Sequence, residues 1–103
     1  MNEHYRQGDV LLIKVDALPM GATKEKNTDD SIVLAYGETT GHAHRLKAAG
    51  VFAYQWQGDR LIEVKETSAL THEEHSAITL VPGVYKVVHQ REYTPERINR
   101  VVD

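Results

Sequence analysis

Val51-Phe52-Ala53-Tyr54-Gln55-Trp56, then Gln57-Gly58-Asp59, then Leu61-Ile62-Glu63-Val64-Lys65 is the stretch that decides the fold class. The first run puts Phe52, Tyr54 and Trp56 on one face, because successive side chains of a strand point to opposite sides. The glycine-containing triplet makes a tight turn, and two such runs around it read as an antiparallel hairpin. The aromatic trio reads as a core face or an oligomer contact. A base-stacking platform would come with a basic groove, which this chain lacks.

The flanking sequence carries the same signal. Val10 to Val15 is an apolar, β-branched run broken only by Lys14, and Gly8-Asp9 announces it as a turn. Ser31-Ile32-Val33-Leu34-Ala35-Tyr36 is a further strand closed by Gly37. Ala77 to Val81 runs into Pro82-Gly83, read as a type II turn, and Val84 to Tyr93 is the longest strand candidate. Thr94-Pro95 suits the start of a short helical turn. The stretch around 22–31 is polar, lacks apolar periodicity and reads as a flexible loop. No long stretch shows a 3.6-residue face. The expectation is a mainly β chain, one domain over residues 1–103, forming a small barrel or sandwich of about seven short strands.

Composition narrows the chemistry. A chain of 103 residues supports one core. It has no cysteine, which removes disulfides, thiolate metal sites and Cys nucleophiles together. Residues 1–52 hold six basic and seven acidic side chains and the remainder six and eight, so no basic stripe recommends nucleic acid as a partner. The longest apolar run, Val10 to Ile13, is far short of the roughly 18 to 20 residues of a membrane span. Met1 to Arg6 lacks the basic and apolar regions of a secretory leader, so a cytoplasmic protein is expected.

The histidines carry what chemistry is legible. Four of the six fall in Gly41-His42-Ala43-His44 and Thr71-His72-Glu73-Glu74-His75. On a strand His42 and His44 project to one side, the geometry a metal wants from two imidazoles, and a His-x-x-His pair in a turn converges similarly. His42, His44, His72 and His75 are therefore the candidate ligands of a divalent transition ion. Zinc comes first, at about 2.0–2.1 Å from each nitrogen, although imidazole also serves Ni, Cu, Fe and Mn. Glu73 and Glu74 are candidate general bases, which makes hydrolysis the natural reaction class. His4 and His89 read as packing residues, with His89, on the same strand face as Tyr85 and Val87, a reserve ligand. Arg91 is a candidate anion clamp beside a plainer reading as a cross-strand ion pair. The zincin pattern fails because its closing position is Ser76, and nucleotide-binding glycine patterns and a serine nucleophile elbow are absent.

Two resemblances follow from these residues. His42-Ala43-His44 resembles the metal-binding His-x-His of cupins, which implies a small jelly-roll barrel. The chain departs from that pattern where Ala48 or Ala49 takes the place of the following Glu, and where Pro82-Gly83-Val84-Tyr85 lacks the later His. Gln7-Gly8-Asp9-Val10-Leu11-Leu12, Gly37-Glu38-Thr39-Thr40-Gly41-His42-Ala43-His44, His72-Glu73-Glu74-His75, Pro82-Gly83-Val84-Tyr85 and Gln90-Arg91-Glu92-Tyr93-Thr94-Pro95 together are similar to a family of small uncharacterised bacterial and phage proteins. That resemblance implies no activity. Three functions stay open: a metal-binding β protein with hydrolase-type activity, a non-catalytic module for protein interaction or homo-oligomer assembly, and a metal-independent, histidine-based RNA-processing enzyme with Arg45 or Arg91 holding phosphate. Self-association is expected because a small β protein must cover its edges.

Overall fold

The computed structural model describes residues 4–37 and 41–89. Those residues form ten strands: β1 (His4–Gln7), β2 (Val10–Val15), β3 (Thr23–Lys24), β4 (Ser31–Tyr36), β5 (Ala43–Lys47), β6 (Val51–Trp56), β7 (Asp59–Val64), β8 (Ser68–Thr71), β9 (Ile78–Leu80) and β10 (Gly83–His89). All pairings are antiparallel, in a six-stranded sheet ordered β1-β2-β10-β7-β6-β3 and a four-stranded sheet ordered β4-β5-β8-β9. The architecture is a sandwich rather than a closed barrel. Among the described residues no helix is long and apolar enough to cross a membrane.

The β6–β7 hairpin forms where its sequence predicts. Trp56 pairs with Asp59, and the two residues between them, Gln57 (φ 49°) and Gly58 (φ 82°), are both left-handed, as a type I′ turn requires. Of the two expectations for its aromatic trio, a core face or an oligomer contact, the structure corrects the core face. Val51 and Ala53 point inward, opposite Val64 and Ile62, while Phe52, Tyr54 and Trp56 lie on the outer side, half-buried. Polar ends explain that choice. Tyr54 donates its hydroxyl to Glu63 (3.3 Å), Trp56 donates its indole N–H to the Met20 carbonyl (3.2 Å), and the Lys24 ammonium sits 4.2 Å over the Phe52 ring.

Two further expectations change. The polar 22–31 stretch contains β3, and the Glu25 N–H beyond it donates to the Ala53 carbonyl at 2.8 Å. The Glu25 carboxylate then takes two bonds from Arg60, at 2.9 and 3.0 Å, which fastens the stretch to β7. Gly83 does not adopt the left-handed conformation of a type II turn; it opens β10 opposite Val64, and a Cβ there would meet Lys14 Cε at 2.9 Å. Gln90 to Tyr93 and Thr94-Pro95 lie outside the described residues.

The core fills the space between the sheets. Val10, Leu12, Val51, Ala53, Ile62, Val64, Tyr85 and Val87 from the large sheet meet Ile32, Leu34, Leu46, Leu70 and Leu80 from the small one. Each large apolar side chain so buried stabilises the fold by about 1.5–3 kcal/mol before ordering entropy is charged against it. Register then decides what stands at one end. Gln7 pairs with Val10 and Val10 with His89, so the β1–β2 turn and the last residue of β10 share that end of the large sheet. Arg45 pairs with Thr71, so the β4–β5 and β8–β9 connections meet at one end of the small sheet. The hydrogen bond from Gln7 to Leu70 joins the two ends.

Candidate functional site

His44 anchors the site. It lies on the same side of β5 as core residue Leu46, and only 4% of its surface is exposed. A buried imidazole needs a partner, and its Nδ1 lies 2.8 Å from Gln7 Oε1. Gln7 is buried too, and its Nε2 donates to the carbonyls of Leu70 and Ser76, each at 2.9 Å. Two carbonyl acceptors fix which end of the amide carries hydrogen, so the oxygen faces His44 and Nδ1 must donate. Neutral His44 therefore presents a bare lone pair at Nε2. Burial lowers its pKa to about 4, helped by the neighbouring charges of His72, His75 and His89 and opposed by Asp9.

The other candidate histidines gather around it. The His72 ring centroid is 4.3 Å from that of His44, and the His75 ring lies 4.7 Å from His72 and 5.9 Å from His44, nearly parallel to the latter. His42 meets His72 edge-on at 5.9 Å. His42 precedes β5 by one residue, and its ring and that of His44 both meet the His72 ring. His42 Nδ1 is 3.2 Å from Glu74 Oε2, an ion-pair distance, yet among the described residues this buried nitrogen makes no hydrogen bond. His72 Nδ1 accepts the Glu74 N–H at 3.0 Å.

Two glycines make room for the rings. Gly8 has φ +56°, and a Cβ there would stand 2.7 Å from His75 Nε2. A Cβ on Gly37 would approach both His72 Nε2 and His42 Cβ at 3.1 Å.

The two acidic candidates differ. Glu73 Oε1 accepts the Ala43 N–H at 2.9 Å and Oε2 accepts Arg45 at 2.7 Å. Those bonds, the backbone one foremost, pull its pKa down to about 2. So held, Glu73 is a poor proton acceptor near neutral pH, and it serves to fasten the β8–β9 connection to β5. Glu74 faces His42, and among the described residues no arginine is paired with its carboxylate. Arg91 lies outside the described residues. His4, exposed and paired with Ile13, stands three residues up β1 from Gln7. Gln7, Gly8 and Gly37 were missed as site residues by sequence reasoning. Their signal was a polar Gln two residues from Tyr5 on the inward face of β1, and glycines bordering the histidine pairs.

Among the described residues no three His, Asp or Glu side chains stand as placed in a geometry that would hold a metal ion. With Nδ1 accepting the Glu74 N–H, the neutral His72 ring carries its hydrogen on Nε2 and offers no lone pair there.

Residues 6–90 match the family model described as "Domain of unknown function (DUF8820)", and the chain belongs to that family. No curated protein and no solved structure matches it.

Proposed function

For this member of the family, we propose that the histidine cluster binds one divalent transition ion, zinc first, through His44 with His42, His72 and His75. The observation that carries the reading is the Gln7–His44 contact at 2.8 Å, in which a buried amide holds Nδ1–H and leaves Nε2 as a donor inside a group of imidazoles. Metal-ligating histidines characteristically give their other ring N–H to such a partner. The Glu74 carboxylate 3.2 Å from His42 Nδ1 supports the same reading, since a carboxylate there favours hydrogen on Nδ1 and leaves Nε2 its lone pair.

Engaging His72 requires its ring to release the Glu74 N–H, at about 1 kcal/mol for one hydrogen bond. A structural zinc site supplies roughly 10 kcal/mol or more, so the rearrangement is affordable by a wide margin. The ion would supply Lewis acidity at a solvent-facing site, because His75 is exposed. Hydrolysis is the reaction class this supports, with Glu74 rather than Glu73 as the base. The test is a zinc competition titration of the wild type against the His42→Ala/His44→Ala double variant. Sub-micromolar binding lost in the variant supports the reading; equal or absent binding in both refutes it. Loss of hydrolytic turnover in Glu74→Gln, with zinc retained, tests the catalytic part.

A further inference from the structure

All four proposed ligands belong to the small sheet or its connections, whereas the wall facing them belongs to the large sheet. That wall is ordered by register. Gln7 pairs with Val10, and Val10 pairs with His89, so the three residues form one lateral row across β1, β2 and β10. Directly paired residues of adjacent strands share a face. Val10 is fully buried in the core, and Val87, two residues before His89, is a core residue as well, so the row points inward. Strands lie about 4.8 Å apart, which puts Gln7 and His89 roughly 10 Å from each other with Val10 between.

His44 is held over one end of this row by its Nδ1 bond to Gln7. Its two ring nitrogens are on different edges, so fixing Nδ1 at the Gln7 end leaves Nε2 for another partner. We propose, resting on the metal reading above, that His89 is a ligand from the large sheet, so that the ion bridges the two sheets. A span of Oε1, Nδ1, Nε2, ion and His89 nitrogen is of the row's own length when each metal–nitrogen bond is about 2.1 Å. Gly8 keeps the gap between the sheets open where His75 enters it. The consequence is mechanical: an ion held by His44 and His89 ties β5 to β10.

The experiment is zinc titration of wild type, His89→Ala, His89→Gln and His4→Ala, with urea unfolding of each in chelator to check the apo fold. The expected result is wild-type affinity in His4→Ala. In both His89 variants, affinity falls by more than the 10–100-fold typical of losing a residue that merely orients a ligand. Cobalt-loaded wild type should also show paramagnetically shifted His89 ring protons, a readout that needs no variant to fold. Unchanged affinity in the His89 variants, or unshifted His89 protons, overturns the bridge while leaving the small-sheet site standing. Failure of the wild type to bind zinc or cobalt overturns both readings at once, and is distinguishable for that reason.

Discussion

Replacing Gln7 by Leu removes a group of nearly the same size whose three hydrogen bonds all cross between the sheets. The amide donates to Leu70 and Ser76 and accepts from His44, and only 2% of the residue is exposed, so little water can substitute. At about 1 kcal/mol net for each bond the loss is about 3 kcal/mol, and more if the stranded partners stay dry. That is a large share of the roughly 5–15 kcal/mol by which a domain is stable. With a urea m-value of about 1.5 kcal/mol/M, the midpoint falls by about 2 M. The assay is urea unfolding in chelator, followed by the fluorescence of Trp56, the sole tryptophan. Nitrogen chemical shifts of His44 provide the second readout: hydrogen on Nδ1 in the wild type, and a mixture of tautomers in Gln7→Leu. A midpoint within about 0.3 M of the wild type, or roughly 0.5 kcal/mol at that m-value, would refute the reasoning, as would His44 carrying its hydrogen on Nε2 in the wild type.

Gly8→Ala meets His75 Nε2 at 2.7 Å and forces a side chain into φ +56°, so His75 should swing away and zinc affinity fall. The backbone strain adds a destabilisation of roughly 1–2 kcal/mol, read by thermal unfolding. Leu46→Ala, in a fully buried position of β5, should destabilise by about 2–5 kcal/mol. Because the folded-state pKa of His44 is depressed from 6.5 to about 4, the unfolded chain binds more protons in that interval. The metal-free protein should therefore lose stability as pH falls from 6.5 toward 4, and His44→Gln should flatten the slope. Arg45→Ala should raise the Glu73 pKa, seen by carbonyl chemical shift, and loosen the β8–β9 connection, seen as faster amide exchange at residues 72–77.

What the sequence disclosed and what it hid follow from how local each feature is. The β6–β7 hairpin was legible because Gln57-Gly58 encodes its own turn, and β2 and β4 because their apolar runs are continuous. Which face of β6 turns inward was not legible. Val51 and Ala53 win that side because they fit between Ile62, Val64 and the small sheet, while Tyr54 and Trp56 keep hydrogen bonds outside. The β3 strand escaped notice because only two of its residues pair and Glu25 draws its partner, Arg60, from 35 positions away. The two histidine pairs were visible by spacing. Their meeting depends on β5 pairing with β8, a contact that nothing in either motif announces. Gln7 was hidden for the same reason: its role exists only once β1 lies across from Leu70 and Ser76.

The most direct test of the account is elemental analysis of untagged protein purified without added metal or chelator. The account predicts about one equivalent of a transition metal per chain, zinc foremost, removed by chelator and restored by titration. Protein that arrives free of metal and takes up none on titration with zinc, cobalt or nickel would contradict it.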